Sequence, residues 1–310
     1  MHLRYLPRRS NTASIARNQR RQPLREFCEG DSKMRLSSNF RNPCMIRSDA
    51  ALSNEQIASV VPSIFAEEAH DSRSDRYLYI PTIKVLDALR AEGFQPFMAC
   101  QTRVRNTDKR EHTKHMLRLR HANTIMDKEA NEIILLNSHD GTSSYQMMAG
   151  MFRFVCANGL VIGDCSIDQK VRHSGRGDVI SDVIEGAYEV LNQFDAVNDQ
   201  RECMKQIKLR PDEQEAFAMA ALAYRYDPKE GPAPVTSSQL LSPRRVQDYD
   251  NDLWTTFNRI QENSIKGGLR GRNKQGRRAT TRAVGGIDQD VKLNRALWVL
   301  AQALRTQQAA

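Results

Sequence analysis

The chain has no run of about 18 apolar residues, the length a helix needs to cross a bilayer. Its N-terminus has no apolar core of the kind a secretory signal carries. Both absences lead to the expectation of a cytoplasmic protein with no membrane partner. Cysteine is scattered, at positions 28, 44, 100, 156, 165 and 203, with no close pair. That spacing fits free thiols in a reducing compartment and excludes both a disulfide framework and the paired cysteines of a zinc site. The zincin pattern of a Glu between two His is missing, and no internal repeat is apparent. No metal and no cofactor are expected.

What is present is basic charge. Lys and Arg number 46 against 37 acids, a net +9, with an isoelectric point near 9.4. Such a balance speaks of anionic partners, not of fold. Residues 1–33 hold eight Lys/Arg against three acids, net +5, and read as a disordered basic arm that also resembles a transit peptide or a nucleic-acid-binding tail. A start at Met34 is the alternative, which makes the arm an artefact of gene calling. A second basic stretch spans 266–282. It carries Lys266, Arg270, Arg272, Lys274, Arg277, Arg278 and Arg282, with glycines between them and no acid. It reads as a flexible phosphate-gripping loop, or else as a solvated one.

The centre of the chain alternates with a period of two. Met98, Cys100, Thr102 and Val104 share one face of a strand reaching Arg105; Lys114, Met116, Arg118 and Arg120 share one face of the next. The polar link between them predicts an antiparallel hairpin. If the polar faces align, Arg103, Arg105, Lys114, Arg118 and Arg120 make a basic sheet surface; an ordinary solvated face is the plainer account. Glu132–Leu136 is apolar on successive residues, as in a central strand covered on both sides. Met151–Ala157 reads as a short helix, from the stripe Phe152, Val155 and Cys156. Helices are expected over 179–195, 200–209, 211–226, 248–266 and 288–307.

The resulting fold class is α+β: a central, mostly antiparallel sheet covered by helices, followed by a helical C-terminal region. The 310 residues suffice for one large domain or two modest ones. The expected boundaries are an arm at 1–33, a core at 34–226, a Pro-rich link over 227–234, and the C-terminal region 227–310 packed on the core.

Candidate chemistry gathers around Asn137-Ser138-His139-Asp140-Gly141. His139 and Asp140 suit acid–base work, and Ser138 is a possible nucleophile; yet three neighbours in sequence are not a triad, because a triad is a spatial arrangement. His115 and His173 could join them from other strands. A metal held by His112, His115, His121, His139 or His173 is the weaker alternative to ordinary hydrogen-bonded histidines. Three functions follow. One is nucleic-acid binding through the basic surfaces, with Tyr77, Tyr79 or Phe97 stacking bases. The second is an enzyme on nucleic acid or nucleotides, using His115, His139, Asp140 and His173. The third is a factor that binds a host protein to modulate host defence.

Long runs stand out from Met34 on: Gly93-Phe-Gln-Pro-Phe97, Ala99 to Arg105, Arg110 to Arg120, Glu132 to Gln146, Val179 to Leu191, Leu241-Ser-Pro-Arg-Arg245, Asn251 to Thr256 and Asp290 to Trp298. In these runs the chain resembles the YafZ/YfjQ/YubP family of plasmid and prophage proteins, which carry a domain of unknown function, number 932. The resemblance implies a bacterial cytoplasmic protein linked to mobile elements. It implies no enzyme activity and transfers no catalytic residues.

Overall fold

A computed structural model of the chain describes residues 44–73, 79–121, 129–154, 158–162, 169–171 and 179–309. The expected arm at 1–33, together with Tyr77 and His173, lies outside the described residues.

The period-two segments form one antiparallel sheet. Its strands are β1 (Met45–Arg47), β2 (Phe94–Gln101), β3 (His115–His121), β4 (Glu129–Asn137), β5 (Tyr145–Arg153), β6 (Asn158–Val161) and β7 (Gln169–Val171). They lie in the order β1 to β6, with β7 also pairing β5. The hairpin read from the sequence pairs Ala99 with Leu117. Every residue of β4 is buried, the expected apolar run Ile133–Leu136 and the polar Glu129, Asn131, Glu132 and Asn137 alike.

Helices α1 (Asn54–Val60), α2 (Thr82–Ala91) and α3 (Val179–Asn192) cover one face of the sheet. There Leu117, Leu119, Ile133 and Leu135 meet Val85, Leu86, Leu89, Val183 and Val190. Helix α1 opens on a reciprocal cap: Ser53 Oγ accepts from Gln56 N, and Gln56 returns the bond to Ser53 N. The other face lies under the C-terminal region, built of α4 (Phe194–Gln206), α5 (Pro211–Arg225), α6 (Ser237–Leu241), α7 (Leu253–Lys266) and α8 (Ile287–Ala309). Met98, Met116, Ile134 and Met148 pack on Ile287 and Val291 of α8. Next to them Met151 and Leu160 join Phe217, Trp254, Phe257 and Trp298 in a further core. The sheet is therefore buried on both faces. Among the described residues, no helix is long and apolar enough to cross a membrane.

Four elements differ from the sequence reading. The strand expected to reach Arg105 ends at Gln101, so Arg103 and Arg105 sit in an irregular exposed segment. Met151–Arg153, expected to open a helix, close strand β5 instead, because β4 and β6 pair with them on both sides, Met151 facing Asn131 and Leu160, while 155–157 of that expected helix lie outside the described residues. Gly150 permits this crowding: a Cβ there would stand 2.7 Å from Ile134 Cδ1. The helices over 179–195 and 200–209 are instead α3 and α4, broken at Gln193. The basic loop contains a separate two-stranded sheet, β8 (Arg270–Arg272) and β9 (Arg278–Thr280).

Candidate functional site

Hairpin β8–β9 has two unlike faces. Arg270 stands opposite Thr280, Gly271 opposite Ala279, and Arg272 opposite Arg278. Paired residues share a face, so Arg270, Arg272 and Arg278 point one way, and only Gly271 and Ala279 point the other. The small pair faces the protein body. Arg272 N donates to Pro234 O at 3.0 Å. A Cβ on Gly271 would come within 1.8 Å of that same carbonyl oxygen, so glycine is required by the close approach. Asn273 organises the turn: its side-chain oxygen accepts from Gln275 N at 3.0 Å and from Arg277 N at 2.9 Å, and Gly276 takes φ 72°.

The cations of this hairpin are all exposed. Lys274 pairs with Glu230 at 3.0 Å, and Lys266, at the root, with Glu262 at 2.8 Å. Among the described residues, no carboxylate lies within ion-pair distance of Arg270, Arg272, Arg277, Arg278 or Arg282. Arg272 and Arg278 stand directly across the ladder from each other, a like-charge arrangement that disfavours the hairpin on its own.

The other basic group expected from sequence is not a surface. Arg118 and Arg120 are each 2% exposed. Arg118 Nη1 donates to Glu132 Oε2 at 3.0 Å and to the Leu160 carbonyl at 3.1 Å; Arg120 Nε donates to Glu132 Oε1 at 2.9 Å. The Arg120 guanidinium also lies over the rings of Phe97 and Phe152, at 4.3 and 4.4 Å. Phe97 is thereby buried and committed to Arg120, not presented to a base. Lys114 bonds Asp288 at the start of α8, at 2.9 Å. The period of two in β3 is present, but the register sets Arg118 and Met116 opposite Met98 and Cys100, so the two polar faces do not align, and the C-terminal helices lie over the Arg118 face. Arg103 and Arg105 alone of the five are exposed.

An ionic chain ties the two layers together. Glu129 of β4 pairs with Arg201 of α4 at 3.1 Å and accepts from Trp254 Nε1 at 3.0 Å. Arg153 of β5 reaches Asp248 at 2.8 Å, and Arg245 bridges Asp248 and Glu262 at 2.7 and 2.6 Å. No reading of single segments revealed this network. Its sequence signal is the isolated Glu129 and Glu132 at the mouth of an apolar strand.

Two of the histidines do converge. His115 and Asn137 face each other across β3 and β4, and Thr82 opens α2 above them. Asn137 Nδ2 donates to Thr82 Oγ1 at 3.0 Å, while His115 Nε2 and His139 Nε2 lie 2.9 and 3.3 Å from the same oxygen. His115 Nδ1 faces the Thr113 carbonyl at 3.1 Å and so carries the proton. Its Nε2 then accepts from the Thr82 hydroxyl. Burial lowers the His115 pKa to about 4, against weaker opposing effects of the Thr113 carbonyl and Asp140, so the ring is neutral at ordinary pH. His115 and His139 are 1% and 0% exposed, and Tyr79 packs on His139, its ring 4.9 Å away. Asp140 is taken up by its own turn, accepting from Thr142 Oγ1 at 2.6 Å. Ser138 is held by Ser143 N at 2.8 Å. This arrangement locks the 137–144 loop to α2. Among the described residues, no cluster of three His, Cys, Asp or Glu could hold a metal ion.

Comparison with known proteins places the chain. A family model described as a domain of unknown function (DUF932) matches residues 69–298. UPF0380 protein YafZ of Escherichia coli (strain K12) is 61% identical over 273 residues, covering 88% of this chain and 98% of that protein. UPF0380 protein YfjQ of the same organism is similar to the same extent, 61% over 273 residues. No solved structure matches the chain. With a family model over most of its length and relatives this close, the chain belongs to the DUF932 family.

Proposed function

We propose that this protein binds nucleic acid through the exposed face of hairpin β8–β9, as a cytoplasmic accessory factor of a mobile element. The mobile-element role rests on the resemblance of the sequence to plasmid and prophage proteins. The observation that carries the binding reading is the opposed pair Arg272 and Arg278, flanked by Arg270, with no carboxylate in ion-pair distance among the described residues. Unpaired like charges cost stability on a small ladder. A polyanion laid across them removes that cost and releases counterions as its phosphates are neutralised. The seating of Gly271 against Pro234 fixes the backbone that carries the arginines, so the strand itself needs little ordering on binding.

The test is fluorescence anisotropy with single-stranded DNA, double-stranded DNA and RNA probes at about 50 and about 200 mM salt. The wild type is compared with a variant carrying Ala at Arg270, Arg272, Lys274, Arg277 and Arg278. Binding should fall steeply with salt, and the variant should lose it or show a log–log slope shallower by about 4. No binding by the wild type at the lower salt ends the reading; equal binding by the variant moves it off the hairpin.

A further inference from the structure

Hairpin β8–β9 stands apart from the main sheet as a two-stranded ribbon of its own. In each strand the outer two residues are exposed and the middle one is half-buried. Arg270, Arg272 and Arg278 therefore share one open face, and the tip, 274–278, is exposed throughout. Among the described residues, neither Arg270 nor Arg278 gives a side-chain hydrogen bond or meets a carboxylate. Arg272 Nη1 donates to the Gly276 carbonyl at 2.7 Å, which occupies one of its five N–H groups and steadies the fork. The β8 edge is not open to an added peptide strand at this point, because Arg272 N is already given to the Pro234 carbonyl.

Three observations favour one polyanion for this face. The first is its shape. Paired strands lie about 4.8 Å apart, and the major groove of B-DNA, about 12 Å wide, admits a two-stranded ribbon. The major groove of A-form RNA is deep, narrow and closed to side chains. The second is what the face lacks. Residues 266–282 contain no Phe, Tyr or Trp, whereas single-strand binders hold bases on aromatic rings. Tyr226 lies close by, but it shares a hollow with Pro234 and Ala279, on the side of the hairpin that faces the protein body. Its ring is engaged there by the Arg225 guanidinium at 5.4 Å, and its hydroxyl accepts from Arg225 Nε at 3.1 Å. The third is the kind of cation. Every charge on the open face is an arginine, whose rigid fork matches two acceptors at once; no lysine, which serves a phosphate as a point charge, stands among them.

We propose that the hairpin lies in the major groove of duplex DNA, with Arg270 and Arg278 donating to guanine bases and with Arg277 and Arg282, which flank β9 in sequence, on the neighbouring phosphates. Guanine is the base whose major-groove edge offers two acceptors side by side, O6 and N7, the pattern an arginine fork fits. The proposal rests on the nucleic-acid reading above and adds to it the class of nucleic acid and the base that is read.

The experiment is fluorescence anisotropy of the full chain at about 50 mM salt. The probes are a guanine-containing DNA duplex, one of its strands alone, the RNA duplex of the same sequence, and the DNA duplex with 7-deazaguanine in place of guanine. That base carries a C–H where N7 stood and keeps its pairing and backbone charge. The variant combines Arg270→Lys with Arg278→Lys, which keeps both charges and removes both forks; both positions are exposed, so the fold is retained. The DNA duplex should bind at least about tenfold tighter than the single strand or the RNA duplex, and 7-deazaguanine should weaken it about tenfold, as for a lost fork contact to guanine. The lysine variant should bind the two DNA duplexes equally, with the salt slope of the wild type. Equal wild-type binding of strand and duplex, of RNA and DNA duplexes, or of the guanine and 7-deazaguanine duplexes overturns the proposal and leaves the broader nucleic-acid reading standing. Discrimination retained by the lysine variant overturns the assignment of Arg270 and Arg278. No binding to any probe ends both readings.

Discussion

Arg118 and Arg120 on β3 follow the same alternation as Arg270 and Arg272 on β8, two residues apart on one face of an antiparallel strand. Beside the first pair, the neighbouring strand supplies Glu132, and the rings of Phe97 and Phe152 enclose the remaining surface. Across from the second stands another arginine, Arg278, and solvent. The first arrangement is satisfied within the fold. In the second, Arg272 donates to the Gly276 carbonyl at 2.7 Å, but among the described residues no carboxylate meets its charge. What separates the buried arginines from the exposed ones is therefore what lies beside and over them, not the pattern along the strand.

The contrast is broken most severely at Glu132. Glu132→Gln leaves two guanidinium groups buried without their counter-charge, and should cost about 3–5 kcal/mol in chemical denaturation. A loss below about 1 kcal/mol would mean that β3 is solvated like β8, and the distinction would collapse. Stability should also fall with acid. The His115 pKa is lowered to about 4 in the fold against 6.5 for an unburied ring, so the unfolded chain takes up the proton first. The stabilisation is complete above pH 6.5 and is lost as pH falls toward about 4, by about 3 kcal/mol. Denaturant midpoints across that range measure it, and His115→Gln should flatten the profile.

The hairpin can be perturbed with no change of charge. Gly271→Ala drives a methyl group into the Pro234 carbonyl and should destabilise the hairpin by about 1–3 kcal/mol, by analogy with overpacking. Nucleic-acid affinity should drop although every arginine remains. Undiminished affinity would show that the seating is irrelevant. The smallest expected effect has the opposite sign. Arg272→Glu turns a like-charge pair into an opposite one and should stabilise the fold by about 0.2–1 kcal/mol, measured as a thermal midpoint, while weakening binding. A variant less stable than wild type would show that Arg272 gains more from its bond to the Gly276 carbonyl, 2.7 Å away, than it loses to Arg278 across the ladder.

The histidine cluster divides in a similar way between what sequence shows and what it hides. That Asn137–Gly141 forms a dense polar turn, with Gly141 at φ 73°, follows from residue types alone. That His115 and His139 share the hydroxyl of Thr82 does not, because Thr82 lies 33 and 57 residues from them. The same holds for β5. Phe152, Val155 and Cys156 match a helical stripe, but pairing with β4 and β6 outweighs a local preference.

By itself the sequence determined the α+β class, the hairpin of β2 and β3, the covered strand β4, the helix that ends at Lys266, and the concentration of cations between Lys266 and Arg282. All of these are local properties: periodicity, caps and composition act over a few residues. Tertiary structure alone decided that the C-terminal helices bury Arg118 and Arg120, that the basic loop folds into a hairpin pinned by Gly271, and that a cavity of about 170 Å³ opens at its root. The period of a strand reports which residues share a face; what lies over that face is set by chain segments more than a hundred residues away.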